Sequence, residues 1–510
     1  MRAEKATRGK GTGMGESRLS FINKPVFDSR VKSEEVRPAE KILGYLVGPV
    51  GPALVNAVLA SYLNVFYTDV LGLTLLWGGL FLLVFPIISK VANAVVNLWV
   101  GKLIERTHTR QGKARPYLLI SAPIFLVTTV LCFTVPQLGL VPEVIWVVVS
   151  YNLFYLCANS FYTMAHNLMV PLSTRDSDAR GSLSVMNNIA MTMATGIIIA
   201  MLFPMFVLPV IGANRAAWAV MGWILGAIAL PLILMEYYFT RERVTEEQGE
   251  QAAEEPMPFR EQIRTVLTDR YWVILMLYLF IYTLSSNFKN LSLLYYCNYV
   301  LGSYNDGITL TLVNVIGGIP MGLGIFAVWP IAKRAGLRNT TLWGFVIVAV
   351  GSAICALFPT NMTVVLVGQF IKNVGCLPAA YVFMALFADV LDHCEWRFGF
   401  RCDGLSSAVY SIIQTVCVGL ANGIFNLMLG VTGYVPPSVV DGVTVAAEQS
   451  DATKGVFIFF FLVLDIITSA VIVALLSRLN VEKTIKQEQE EIKARHQGSA
   501  DEKPATTEEA

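Results

Sequence analysis

Charged residues are scarce in this sequence: they make up 15% of the chain, against 55% for hydrophobic residues. A soluble globular domain has about 25% charged residues, so the composition excludes an ordinary soluble fold. The formal net charge is only +1. The basic surface with which a nucleic-acid-binding protein neutralises phosphates is therefore missing. We expect an integral membrane protein that lies in the lipid bilayer and binds no nucleic acid.

Motifs for nucleotide, metal or cofactor chemistry are also missing. The Gly-rich stretch GKGTGMGES near the N-terminus lacks the G-x-x-x-x-G-K-[ST] order of a phosphate-binding loop. The first forty residues lack the apolar core of a cleavable signal peptide. No arrangement of nucleophile, base and metal ligand indicates an enzyme, and we expect no metal site and no cofactor. The polar ends, 1–41 and 480–510, are predicted to be disordered tails.

Twelve long apolar stretches are what the sequence has instead. Each is long enough to cross a hydrocarbon core about 30 Å thick, and too long for the strands of a membrane barrel. The long polar interval 240–270 divides them into two predicted six-helix bundles, 42–239 and 271–479, of an all-α membrane protein. The predicted spans are 42–68, 73–104, 117–136, 143–171, 182–212, 216–239, 271–300, 307–332, 339–358, 363–391, 403–433 and 455–478.

Positive charge is concentrated in alternate loops. The loops GKLIERTHTRQGKARP and AKRAGLRN, after the second and eighth spans, are basic. In the loops of the other side, the only Lys or Arg residues are Arg215 and Lys454. Short loops rich in Lys and Arg stay in the cytoplasm. We therefore predict a multi-pass protein of the plasma membrane with both termini and the linker 240–270 in the cytoplasm. The matching basic loops also suggest two related halves, as in the major facilitator fold.

Few polar side chains lie inside the predicted spans. An ionisable group at the bilayer centre costs about 2.5–3.5 kcal/mol on insertion scales, so it is expected to face the bundle interior. The second span carries three polar residues at i, i+3 and i+7, and the fourth repeats that spacing, so each set lies on one helical face. Hydrogen bonding between helices is the alternative explanation for each amide. The predicted substrate-binding residues are Lys90, Asn93, Asn97, Asn159, Tyr162, His166, Lys289, Asn290, Lys372, Asn373 and Gln414.

Four phrases resemble the glycoside-pentoside-hexuronide:cation symporter family. They are YLNVFYTDVLGL (62–73), ERTHTRQGKARPYLL (105–119), NYVLGSYNDG (298–307) and FADVLDHCEWRFGFRCDGL (387–405). The resemblance implies a major facilitator fold, alternating access, and uptake of a sugar or glycoside driven by Na⁺ or H⁺. It also implies a cytoplasmic gate made of Glu105, Arg106, Arg110, Lys113, Arg115, Asp389, Asp392, Glu395 and Arg401.

The departures from the family concern its ligands. The second helix usually carries D-x-x-x-D, whose carboxylates bind the coupling cation, and the matching positions here are Asn93 and Asn97. An amide supplies no compensating charge and does not titrate, so Na⁺ coupling is doubtful. The positions that match charged residues of the family's melibiose transporter are neutral here: Ala53, Thr163, Asn188 and Thr415.

The charges left in the spans are mainly lysines. Lys90, Lys289 and Lys372 are expected to point into a central cavity, whereas Asp465 in the twelfth span and Glu236 in the sixth are expected to be structural. Clustered ammonium groups lose protons unless an anion lies among them, which favours an acidic saccharide over a neutral one. The alternative is that a lysine pairs with Asp465 or with an acid of the predicted gate.

The sequence thus predicts a monomeric secondary transporter that moves a saccharide, glycoside or sugar acid by alternating access. Coupling to H⁺ rather than Na⁺ is expected, with His166 or the pair Asp389 and Asp392 as proton carriers. Two alternatives stay open. One is an uncoupled sugar facilitator, and the other is a sensor that binds substrate on a transporter scaffold without moving it.

Overall fold

The computed structural model describes residues 27–74, 76, 80–107, 109–174, 176–243, 259–304, 306–399, 402–440 and 443–501. Within them, eleven helices are long and apolar enough to cross a membrane. A shorter apolar stretch, Gly307–Met321, lies at the position of the predicted eighth span and belongs to a helix that continues to Ala335. The all-α membrane fold predicted from the sequence is confirmed.

We number the membrane helices as spans 1 to 12 in chain order. They are Glu40–Val70, Leu80–Ile104, Arg115–Phe133, Leu140–Ser173, Gly181–Ile211, Arg215–Phe239, Arg270–Leu301, Gly307–Ala335, Leu337–Leu357, Met362–Phe398, Ala408–Thr432 and Asp451–Ser477. A short helix, Phe259–Val266, precedes span 7. Between spans 11 and 12, strands β1 (Ser438–Val440) and β2 (Val443–Val445) form an antiparallel hairpin that the sequence does not predict.

Several spans contain a π-helical stretch, among them Leu153–Asn159 in span 4 and Phe459–Val463 in span 12. A π-helical turn interrupts the regular i→i−4 bonding and is frequent at functional sites. Here the Tyr155 carbonyl accepts a hydrogen bond from Asn93 Nδ2 at 2.7 Å, and the Phe461 carbonyl accepts one from Lys372 Nζ at 2.9 Å. These stretches therefore provide backbone acceptors for polar side chains that would otherwise be costly in an apolar environment.

The chain divides into two compact units. The first contains Met1–Ala60, Ala92–Ile198 and Ala216–Gly249, and the second contains Ser61–Val91, Ile199–Arg215 and Glu250–Ala510. The boundaries fall within or beside spans 1, 2 and 5, so the units do not coincide with the bundles 42–239 and 271–479 expected from the sequence. In the second unit, span 2 packs so closely on span 11 that a Cβ added to Gly423 would lie 2.6 Å from the Leu83 carbonyl oxygen.

Part of the predicted N-terminal tail is ordered against the first unit. Ser29 Oγ donates to the Thr240 carbonyl at 2.8 Å, and the Arg30 backbone N–H donates to the Tyr238 carbonyl at 2.9 Å. The prediction of disorder was wrong for these residues because they satisfy backbone carbonyls at the end of span 6. Residues 1–26 lie outside the described residues.

The C-terminal segment also departs from the predicted disorder. A tail helix covers Ile485–Asp501. Its Glu488 accepts a hydrogen bond from His393 Nδ1 at 2.9 Å, and its Glu491 accepts one from Trp396 Nε1 at 2.6 Å. The polar side chains of this helix thus pair with the end of span 10. Residues 502–510 lie outside the described residues.

Candidate functional site

Spans 7, 8, 9, 10 and 12 enclose a pocket of about 150 Å³ in the second unit. One water takes about 30 Å³, so the pocket has room for a carboxylate and a few neighbouring hydroxyl groups. Three residues that the sequence predicted for substrate binding, Lys289, Asn290 and Asn373, all line this pocket. Ser285, Ser286 and Asp465 also line it.

Lys372 lies next to this pocket and is fully buried. Its Nζ is 2.5 Å from Asp465 Oδ2, and the other carboxylate oxygen accepts a hydrogen bond from Ser285 Oγ at 2.7 Å. Asp465 was expected to be structural, and its carboxylate supplies the opposite charge that the buried ammonium of span 10 needs. This ion pair is the alternative that the sequence left open, in which a lysine of the spans pairs with Asp465.

Lys289 is the pocket's second cation. Among the described residues, no carboxylate oxygen lies within ion-pair distance of its Nζ. Lys372 and Asp465 neutralise each other, so the three charges around the pocket leave one net positive charge. Asn290, Asn373 and Ser286 add neutral donors and acceptors beside that charge. The arrangement suits a polyhydroxylated anion, since amides and hydroxyls bind hydroxyl groups and an ammonium binds a carboxylate.

A second buried cluster lies in the first unit and involves two predicted site residues. Tyr162 OH donates to Glu236 Oε2 at 2.8 Å, and His166 Nδ1 lies 2.6 Å from Glu236 Oε1. All three side chains are at most 4% exposed. Glu236 was expected to be structural, and its contacts join span 6 to span 4.

The amide stripe of span 2 bonds to span 4 inside the first unit. Asn93 Nδ2 donates to the Tyr155 carbonyl and, at 3.2 Å, to Ser160 Oγ. Asn97 Nδ2 donates to Asn93 Oδ1 at 3.3 Å. Asn159, on the facing helix, accepts from Thr163 Oγ1 at 3.3 Å. The contacts of Asn93 and Asn97 use the NH₂ groups that distinguish an amide from a carboxylate.

The remaining predicted binding residues lie elsewhere in the second unit. Lys90 packs beside Gly419, where an added Cβ would be 3.5 Å from the lysine Cβ. Gln414 Nε2 donates to Tyr410 OH at 3.2 Å within span 11. Neither residue lines the pocket that contains Lys289.

The basic half of the predicted gate bonds within the first unit. Glu242 accepts hydrogen bonds from three consecutive backbone N–H groups, those of Lys113, Ala114 and Arg115, at 2.8–2.9 Å. This carboxylate caps the first turn of span 3, where the helix dipole favours negative charge. Arg115 is 2% exposed and Arg110 pairs with Asp28 at 3.4 Å.

Arg106 is solvent-exposed, and the Glu105 side chain lies outside the described residues.

The acidic half of the predicted gate lies on the end of span 10. Asp392 accepts a hydrogen bond from Gln489 of the tail helix at 2.7 Å. Glu395 is buried and Asp389 is half-buried. Arg401 lies outside the described residues.

Asp269 is a buried carboxylate at this end of the second unit. Burial alone would raise its pKa, but hydrogen bonds from His393, the Trp272 backbone and Arg397 outweigh that effect and lower the pKa of Asp269 to about 2. Arg397 Nη1 lies 2.8 Å from the carboxylate. Asp269 therefore anchors the start of span 7 to the end of span 10.

Asp69 is a buried residue that sequence reasoning did not single out as functional. Its carboxylate accepts from Tyr434 OH at 2.8 Å, from Thr68 Oγ1 at 2.8 Å and from Tyr304 OH at 3.2 Å. Asp69 belongs to the phrase YLNVFYTDVLGL, and its position directly at the end of an apolar span was the available signal. It ties the end of span 1 to the loops that follow spans 7 and 11, inside the second unit.

Comparisons with known proteins agree with this architecture. A family model described as MFS/sugar transport protein matches residues 44–483. The chain is 28% identical over 391 residues to the isoprimeverose transporter of Lactiplantibacillus pentosus, covering 74% of this chain and 77% of that protein. It is 25% identical over 413 residues to the glucuronide carrier protein homolog of Escherichia coli K12, covering 79% and 87%.

Among solved structures, a bacterial homolog of the human lysosomal transporter Spinster is similar. The TM-score is 0.58 at 12% identity, over 89% of this chain and 99% of that one. This likeness shows the major facilitator fold.

Proposed function

This chain belongs to the MFS/sugar transport protein family, and we propose that its substrate is an acidic saccharide of the uronide type. It is a secondary transporter of the membrane and not an enzyme. We propose that it moves this substrate across the plasma membrane as a monomer, by alternating access, in symport with H⁺ rather than Na⁺.

The observation that carries the substrate proposal is Lys289. It lines the pocket together with Asn290 and Asn373, while the neighbouring ammonium of Lys372 is already occupied by Asp465. A substrate carboxylate gives Lys289 its missing opposite charge. Among the relatives, one is named for a glucuronide, which carries such a carboxylate, and another is named for a saccharide, isoprimeverose.

The geometry of span 2 supports a proton over sodium. In the first unit, the amide of Asn93 uses its nitrogen to bond the Tyr155 carbonyl, and a carboxylate at this position has no hydrogen to donate there. Asn97 in turn donates to Asn93. The two positions therefore form a hydrogen-bonded link between helices and supply no negative charge to compensate Na⁺.

The proposed topology places both termini and the linker 240–270 in the cytoplasm, because the basic residues gather in the loops on that side. The residues proposed for a gate on the same side are Arg106 and Arg110 in the first unit and Asp389 and Asp392 in the second.

Competition of uptake tests the substrate class. Liposomes containing the purified protein take up labelled glucuronate in the presence of unlabelled glucuronate or its methyl ester. A hydrogen bond to a charged group contributes about 1.5–3 kcal/mol, so the ester should inhibit about tenfold more weakly, or weaker still. Lys289→Met should remove this difference. Lys454→Met is the matched control, since Lys454 lies at the start of span 12 outside the pocket.

Two results would overturn the proposal. One is equal inhibition by the acid and its ester in the wild-type protein. The other is a preference for the acid that survives in Lys289→Met. Specific binding of glucuronate without any flux would instead support the sensor alternative.

A further inference from the structure

We propose that Lys289 carries the coupled proton, so that its amine gains a proton when the substrate anion binds and releases it after the anion leaves. This inference rests on the proposed acidic substrate and concerns the same pocket. Lys289 lies in span 7, outside spans 2 and 4, and in this scheme no carboxylate of the protein gains or loses a proton.

Charged and titratable groups from three spans face Lys289. Lys372 and Cys376 come from span 10, Asp465 comes from span 12, and Tyr282 comes from the preceding turns of span 7. Lys372 and Asp465 are 2.5 Å apart and cancel each other's charge. The charge of Lys289 is therefore the one that changes the net charge of the pocket.

Closing the pocket has a free-energy cost that depends on the charge of Lys289. Enclosing an uncompensated ion in a protein interior costs several kcal/mol. When the empty pocket closes, Lys289 avoids that cost by giving its proton to water on the open side and keeping the lone pair on Nζ. When the pocket closes around substrate, the ammonium and the substrate carboxylate compensate each other. The closed pocket then has zero net charge both without and with substrate.

A lysine at this position can release a proton, and an arginine cannot. A lysine amine loses its proton readily on burial, whereas an arginine guanidinium stays protonated in proteins. The proton and the anion enter from the same side and leave on the other, one of each per cycle. Transport is therefore electroneutral, so a pH difference of one unit supports about tenfold accumulation whatever the membrane potential.

The decisive variant is Lys289→Arg. The guanidinium still binds a carboxylate but does not release a proton, so the empty carrier should not return. In liposomes, exchange of labelled glucuronate for internal glucuronate measures how much binding and translocation the variant keeps. The accumulation that a pH gradient drives, divided by this exchange rate, should fall to background in the variant. Lys454→Arg is the matched control and should keep both activities.

Proton uptake on binding is the second measurement. Purified wild-type protein in weak buffer with a pH indicator should take up protons when glucuronate is added, and Lys289→Arg should take up none. The inference is overturned if Lys289→Arg still accumulates substrate along a pH gradient, or if the wild type binds glucuronate without taking up protons at any pH. If the arginine variant does not bind, the wild-type proton measurement decides alone.

Other results distinguish a wrong substrate class from a wrong role for Lys289. If the wild type neither exchanges nor accumulates acidic saccharides, the substrate class is wrong. If it exchanges them but ignores the pH gradient, the substrate class stands and only the role of Lys289 is wrong.

Discussion

Removing one partner of the buried pair Lys372 and Asp465 should destabilise the protein strongly. Lys372 is fully buried, its Nζ is 2.5 Å from the carboxylate, and its other acceptor is the Phe461 carbonyl at 2.9 Å. Breaking a buried ion pair by removing one partner costs about 3–5 kcal/mol, because the remaining charge is left without compensation. Replacing both partners with apolar residues of similar size is often nearly neutral.

The two single variants should differ. In Lys372→Met, Asp465 keeps the hydrogen bond from Ser285 and still has Lys289 in the same pocket. In Asp465→Leu, two lysines face each other without a carboxylate. We therefore expect Asp465→Leu to lose about 3–5 kcal/mol, Lys372→Met to lose less, and the double variant to recover most of the loss.

The assay is reversible unfolding of the purified protein in mixed micelles, which gives the free energy of unfolding for the four members of a double-mutant cycle. Transport is not the readout, because Asp465 lies in the binding pocket. Additive losses would refute the reasoning, since they would mean that the two charges stabilise the protein independently. Equal losses for both single variants would refute the compensating role of Lys289.

Three further predictions address other parts of the protein. Asn93→Asp should lower the free energy of unfolding by about 1–3 kcal/mol, since the Tyr155 carbonyl loses its donor, and should not create Na⁺-stimulated uptake; an unchanged stability would contradict the role of this amide. Arg106→Cys should react with an impermeant thiol reagent only in permeabilised cells and Lys454→Cys also in intact cells, and the reverse pattern would refute the orientation. Asp269 has a pKa of about 2 against about 4 in an unfolded chain, so its contribution to stability is present above about pH 4 and lost as the pH falls from about 4 to 2; unfolding curves of wild type and Asp269→Asn should converge at about pH 2, and a constant difference at all pH values would contradict this.

The apolar runs were sufficient to predict the membrane fold, because helix length in a bilayer is set by hydrophobic thickness. The ends of the helices and the structure of the tails were less predictable. Span 10 was expected to end at 391 and continues to Phe398, since a helix need not stop at the membrane surface. The tail helix was missed because its stability comes from contacts such as Glu488 with His393, which are distant in sequence.

The candidate site was predicted in part. Lys289, Asn290 and Asn373 were named from the sequence, because polar residues in apolar spans are conspicuous. The contact between Lys372 and Asp465 was only one of the alternatives that the sequence left open. The π-helical stretch Phe459–Val463 precedes Asp465 and alters the helical register, so simple periodicity does not give the direction of this side chain.

The most direct test of proton-coupled transport of an acidic saccharide is the uptake of labelled glucuronate into liposomes that contain the wild-type protein, driven in turn by a proton gradient and by a sodium gradient. We expect accumulation with an inward proton gradient, about tenfold for each pH unit, and none with sodium alone. Accumulation driven by sodium and indifferent to pH would contradict this expectation.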